Sequence, residues 1–364
     1  MPLPRLCPGW SLSITQRVVA GFCAASAVAA PLSVLGTDTA WASEAPRVVA
    51  DLPPVHGLVA AVMGERGAPE LLLPIEADPQ RYVSRPDDVA VLESAAVVVT
   101  LGDALTPAMA PMLVALTGET EVLDLSALDG LVQRRAEPDA DGAREIALQD
   151  EAAAFNGWDK AGDVDAVGPL RRDAPKPRER DGPDGAPDGH ALGTVDPHLW
   201  LDPENAVLFV EAIAASLSTI DPDGAADYAR NAEAATARIR GAMSLAALRL
   251  EPVAGKPFVT DHASTGYLSE RFGLGPSVAV RGVFGDDPDT ARAAAVSASS
   301  YGARCVFVEQ DPVSPLALTI AEEVGAEVVA IDPLGREAPP GPEHYPTLLT
   351  TLAETIAACL SRAD

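Results

Sequence analysis

Asp196-Pro197-His198-Leu199-Trp200-Leu201-Asp202-Pro203 divides this chain in two. Upstream lies a long stretch dense in Asp, Gly and Pro. Downstream, Asp202 suits a helix N-cap and Pro203 the first helical position. A histidine between a solvated loop and a capped helix is fixed in place yet reachable from solvent. Two readings suit His198: a ligand, or a core or capping histidine.

On both sides of this stretch, short apolar runs alternate with helical ones. Before it, strands are expected at 48–50, 70–73, 96–101 and 121–123, with helices at 56–63 and 86–94. After it come helical stretches at 203–218 and 222–250. Strands at 257–260, 277–280, 305–308 and 327–331 then alternate with helices at 264–272, 288–301, 315–324 and 345–360. Such alternation implies parallel sheets covered on both faces. The fold expected is α/β, with two lobes, each a parallel sheet flanked by helices. The helix predicted over 222–250, with Asp221 as its cap, would run about 42 Å and could join the lobes as a rigid spine. Between 136 and 194 periodicity is lost, and the composition reads as a solvated acidic linker.

The start of the chain reads as an address. Arg5 and Arg17 precede an apolar run from Val18 to Ala30, and Ala40-Trp41-Ala42 has the small residues of a cleavage site. Cleavage after Ala42 would leave about 320 residues from Ser43, enough for two domains. An uncleaved anchor fits less well, because Pro31 interrupts the apolar run. The expected division is a signal peptide over 1–42, a first lobe over 43–221, a connecting helix over 222–250 and a second lobe over 251–364.

Net charge is −27, a surface that repels nucleic acid and anionic membranes and suits cationic partners. Aromatics make up only 4% of the chain, which favours packed α/β layers over a β-sandwich. Beyond the signal only Cys305 and Cys359 remain. An even pair in an exported chain is expected to form a disulfide.

His198, His262 after one strand and Asp332 after another stand where parallel sheets carry ligands. Two imidazoles and a carboxylate suit zinc or another first-row divalent ion. The same donors also describe hydrolytic metal sites, but the chain holds no H-E-x-x-H, no nucleophile elbow and no evident general base. An enzyme is not expected.

Several stretches together resemble the periplasmic metal-binding proteins of ABC importers (the family 9, cluster A-I solute-binding proteins), and among them the zinc-uptake component. These are Pro54-Val-His-Gly-Leu-Val59, Ala77-Asp78-Pro79-Gln80-Arg81-Tyr82 with Arg85-Pro86, and Pro197 to Pro203. Further on they are His262 with Gly266-Tyr267, Phe272-Gly273-Leu274, Cys305-Val-Phe-Val-Glu309 and Ile331-Asp332-Pro333-Leu334-Gly335. The resemblance implies two lobes joined by one long helix, with a divalent metal, Zn2+ ahead of Mn2+, held in the cleft. It implies a periplasmic, monomeric chain that passes its metal to a membrane permease. The family's metal histidines fall on His198 and His262, and its last carboxylate on Asp332. Its first histidine, in the pattern Pro-His-x-Tyr, falls on Gln80, a neutral amide and a poor zinc donor. A water or Gln80 would then complete the site, with Glu309 as a partner orienting a ligand histidine. A relative of weak or no zinc affinity, acting as a sensor or interaction protein or binding manganese, is the competing expectation.

The remaining polar residues are given smaller parts. The insertion carries only His190 among carboxylates such as Asp181, Asp184 and Asp188, which suits hard cations weakly. His56 is expected to be structural, His344 exposed, and Arg85 part of an ion pair.

Overall fold

The computed structural model describes residues 45–135, 195–279, 299–300, 302–309 and 315–362. The signal region, the acidic insertion with His190 and nearly all of the helix expected over 288–301 lie outside them. The described residues all belong to one compact unit.

Four strands make the first sheet: β1 (Val48–Ala50), β2 (Glu70–Leu71), β3 (Val97–Thr100) and β4 (Glu121–Asp124). The second holds β5 (Phe258–Thr260), β6 (Ser277–Ala279), β7 (Cys305–Val308) and β8 (Glu327–Ala330). All pairings are parallel, and the orders β2-β1-β3-β4 and β6-β5-β7-β8 are the same. Sequence composition follows the order. The central strands β1, β3, β5 and β7 are buried throughout and are apolar except for the threonines that end β3 and β5. The outer strands β4 and β8 open on exposed Glu121 and Glu327.

The described helices are α1 (Pro53–Met63), α2 (Pro86–Glu93), α3 (Met109–Val114), α4 (Pro203–Ile220), α5 (Ala225–Leu250), α6 (Gly266–Phe272), α7 (Pro315–Val324) and α8 (His344–Arg362). Asp202 caps α4 as expected, its side chain accepting from the Glu204 N–H, with Pro203 next. The spine begins later than its composition suggests. Pro222–Gly224 is a 3-10 turn, closed by the Asp221 carboxylate on the Gly224 N–H. A side chain at Gly224 would collide with Arg66, Asp221 and Tyr228, so the turn needs glycine there. From Ala225 the helix runs 26 residues, about 39 Å.

Along α5 the buried residues are Tyr228, Ala232, Ala235, Ile239, Ala242, Ala246 and Leu250, a helical stripe dominated by alanine. Small residues let α4, α8 and α1 pack closely against it. One apolar core therefore runs from β1 and β3 through the spine to β5, β7 and α8. A second, smaller cluster, with Val259, Val306 and Ile320, fills the space under α7. The lobes are joined along the spine by a shared core.

Cys305 Sγ and Cys359 Sγ stand at bonding distance, 2.00 Å, linking β7 to α8. His344 departs from expectation: it is 3% exposed, and its Nε2 lies 2.8 Å from the Gly335 carbonyl oxygen. The polar stretch before α8 folds back beneath the helix, which its composition does not reveal. Burial holds this imidazole below its ordinary pKa, against the pull of the Gly335 carbonyl. Gly335 has φ 67° and lies so close to His344 that a Cβ would sit 2.9 Å from the ring. His56 is partly buried against the Pro69 carbonyl oxygen at 3.1 Å.

Candidate metal centre

In open parallel sheets, ligands bind beyond the carboxyl ends of the strands, where the order reverses. In the second sheet that point lies between β5 and β7. His262 follows β5 by two residues and Glu309 follows β7 by one. Adjacent strands are about 4.8 Å apart, and the two side chains meet, His262 Nε2 lying 3.6 Å from Glu309 Oε2. The other carboxylate oxygen of Glu309 accepts from the buried Ser264 hydroxyl. His262 Nδ1 is buried without a hydrogen-bond partner.

His198 arrives from the segment entering α4. A 3-10 turn, Leu199–Leu201, follows it directly and is held from the second lobe. The Trp200 indole N–H donates to the Pro333 carbonyl at 2.7 Å, and the Tyr345 hydroxyl donates to the Trp200 carbonyl at 2.6 Å. Burying an indole removes on the order of 200 Å² from water, about 5 kcal/mol at most, against about 1 kcal/mol for a hydrogen bond. Burial of Trp200 therefore anchors the turn, and the hydrogen bonds set its angle. The Trp200 and His198 rings lie 5.4 Å apart.

Asp196 fixes the imidazole. Its Oδ1 accepts from the His198 backbone N–H at 3.0 Å and lies 2.8 Å from His198 Nδ1. Its Oδ2 takes Arg134 Nη1 at 2.9 Å. Burial pushes the Asp196 carboxyl up, but His198 and Arg134 outweigh it and hold it below the usual carboxylate range. An ionised carboxylate only accepts, so Nδ1 carries the proton and Asp196 sets the tautomer of the ring.

The His198 and His262 rings face each other with centroids 5.5 Å apart. With Glu309, Asp78, Gln80, Leu105 and Arg336 they line a cavity of about 30 Å³. That is room for an ion or one or two water molecules. Gln80 enters on the 3-10 turn Pro79–Arg81, which Asp78 caps by accepting from the Gln80 N–H.

Asp332 does not line this cavity. It follows β8, the edge strand, one position further from the switch point. Its Oδ2 accepts from the Glu337 N–H at 3.0 Å, and it faces a larger neighbouring cavity. Glu309 stands beside the histidines instead. Among the described residues no three His, Cys, Asp or Glu side chains already converge as a metal-binding cluster.

Asp196 and Arg336 were not singled out from sequence. The Asx turn latent in Asp-Pro-His gives a local signal for Asp196, whereas Arg336 meets Ile75 and Ala77, 261 and 259 positions away, and Glu309, 27 away, and leaves none.

A model of the family described as "Zinc-uptake complex component A periplasmic" matches residues 48–359. The chain belongs to this zinc-uptake component family. Among its relatives is a high-affinity zinc uptake system protein of Paracoccus denitrificans, 33% identical over 323 residues, spanning 87% of this chain and 93% of that one. The Brucella suis zinc uptake protein is 28% identical, spanning 97% and 98%. The fold is shared with a crystal structure of ZnuA, at 19% identity and TM-score 0.64, covering 87% of this chain and 99% of that one. It is shared equally with the solute-binding protein FpvC of Pseudomonas aeruginosa in complex with Mn2+, at 19% identity and TM-score 0.66, covering 88% and 99%. Two parallel sheets bridged by a long helix are thus a fold that this chain shares with both. No described helix is long and apolar enough to cross a membrane.

Proposed function

We propose that this chain captures Zn2+ in the cleft between its sheets and passes it to the permease of an ABC importer. The observation that carries this reading is the pair His198 and His262, facing each other across an ion-sized cavity. His198 and His262 supply neutral nitrogen donors and Glu309 the charge. Gln80 or a water takes the remaining position, and Asp332 braces the neighbouring turn. Two imidazoles favour zinc over manganese on the ordinary order of affinities. The donors close on the ion as it binds, since Glu309 already lies against His262.

The same reading places the mature chain, from Ser43, in the periplasm as a monomer. There the Cys305–Cys359 bond persists in an oxidising compartment. The test is metal analysis of this chain after stripping and reloading against equal zinc and manganese. One zinc per chain is expected. Retention of manganese in preference, or of neither metal, contradicts the reading.

A further inference from the structure

Arg336 lines the cavity from the second lobe and reaches the loop of the first. Its Nε donates to the Ile75 carbonyl at 3.1 Å, Nη2 to the Ala77 carbonyl at 3.3 Å and Nη1 to the Glu309 carbonyl at 3.4 Å. The first two acceptors belong to the loop that leads into Gln80. That loop is braced as a unit: the Ala77 N–H donates to the Pro74 carbonyl, the Gln80 N–H to Asp78 Oδ1 and the Arg81 N–H to the Asp78 carbonyl. Displacing Ala77 therefore carries Gln80 with it. The third acceptor is the backbone of Glu309 itself. One guanidinium thus ties the wall carrying Gln80 to the wall carrying Glu309.

The turn that presents Arg336 is itself held on three sides. Asp332 Oδ2 accepts from the Glu337 N–H, His344 binds the Gly335 carbonyl, and Trp200 binds the Pro333 carbonyl. Trp200 is two residues from His198, so the turn is also referenced to the ligand side. The two lobes share an apolar core along the spine. Movement of the loop over 75–82 away from the second lobe would open the cavity further, and the Arg336 hydrogen bonds to Ile75 and Ala77 resist that movement.

We propose that Arg336 is a clasp across the cleft that sets the rate of metal entry and release, acting through its hydrogen bonds rather than its charge. This rests on the zinc reading of the same site. A planar guanidinium spans three carbonyls at once, whereas a lysine ammonium is a point donor and cannot. A fixed cation beside the site would, by charge alone, weaken binding of a dication. The two effects have opposite signs, and two variants separate them.

The experiment compares the chain from Ser43 onward with Arg336→Lys and Arg336→Met. Zinc release into excess chelator is followed by stopped flow, and amide hydrogen exchange across 76–82 is followed without metal. The clasp predicts roughly tenfold faster release from both variants and faster exchange across 76–82 in both. Release from Arg336→Lys at the parent rate, with tighter binding by Arg336→Met, would mean that only the charge matters and overturns the proposal. Unchanged exchange in both variants overturns it as well. Exchange needs no metal, so a parent that takes up no zinc sinks the zinc reading while the exchange result still decides whether Arg336 holds the loop.

Discussion

His198 Nδ1 and Asp196 Oδ1 lie 2.8 Å apart, and both side chains are buried. The carboxylate sets the tautomer, orients the ring and raises the basicity of the nitrogen left for metal. Asp196→Asn keeps the shape but loses the charge, and its amide can present a donor to Nδ1. Zinc affinity should fall by about 10- to 100-fold, measured by competition with a chromophoric chelator. Affinity equal to the parent would show that His198 does not depend on Asp196.

Gln80 replaces the imidazole that the family pattern places on the 3-10 turn Pro79–Arg81. Restoring it with Gln80→His adds a third nitrogen donor on the cavity wall. Zinc binding should tighten by roughly tenfold, about 1.4 kcal/mol, in a competitive titration at fixed pH. Weaker binding would mean that the cavity is shaped around the amide.

Much of this architecture is legible in the sequence. Apolar runs such as Val97–Thr100 and the D-P cap at Asp202 are local signals with local causes. Helix α3 is not legible, because six residues with Pro111 among them carry no usable period. The site is legible in part. His198 and His262 stand out by their places beside a cap and a strand end. Which carboxylate lines the cavity beside them depends on strand order, and alternation along the chain does not reveal that β8 is an edge. Glu309 and Asp332 look equivalent until the sheet is assembled.

Asp51 carries a pH dependence of its own. It follows β1 and is fully buried, and burial pushes its pKa from 3.8 to about 6 despite bonds from the Leu101 N–H and the Thr100 hydroxyl. Between these values the folded chain holds a proton that the unfolded chain has released. Its contribution is greatest below 3.8 and is lost as pH rises through about 6. The loss is on the order of 3 kcal/mol. His56 and His344, both lowered by burial, act in the opposite sense: their contribution is full above 6.5 and is lost as pH falls below it. Asp51→Asn keeps an acceptor for Thr100 and Leu101 without a charge. Urea unfolding of parent and variant from pH 4 to 8 should show the variant gaining relative stability as pH rises to about 6. A constant difference across that range would remove Asp51 as the cause.

The Cys305–Cys359 link closes a loop spanning a sequence separation of 54 residues. In the chain-entropy view such a loop contributes about 4 kcal/mol. Replacing both cysteines by alanine should lower the unfolding free energy by a similar amount while leaving zinc affinity within about twofold, since the bond lies at the far side of β7 from Glu309. A large loss of affinity would mean that the link also positions the site.

The most direct test is a zinc titration of the parent beside His198→Ala, His262→Ala and Glu309→Gln, each checked for a parent-like circular dichroism spectrum. The expected result is one zinc per parent chain, at least 100-fold weaker binding in each histidine variant (about 2.7 kcal/mol) and a smaller loss for Glu309→Gln. Histidine variants that bind zinc as tightly as the parent would place the site elsewhere and contradict the assignment of this cleft.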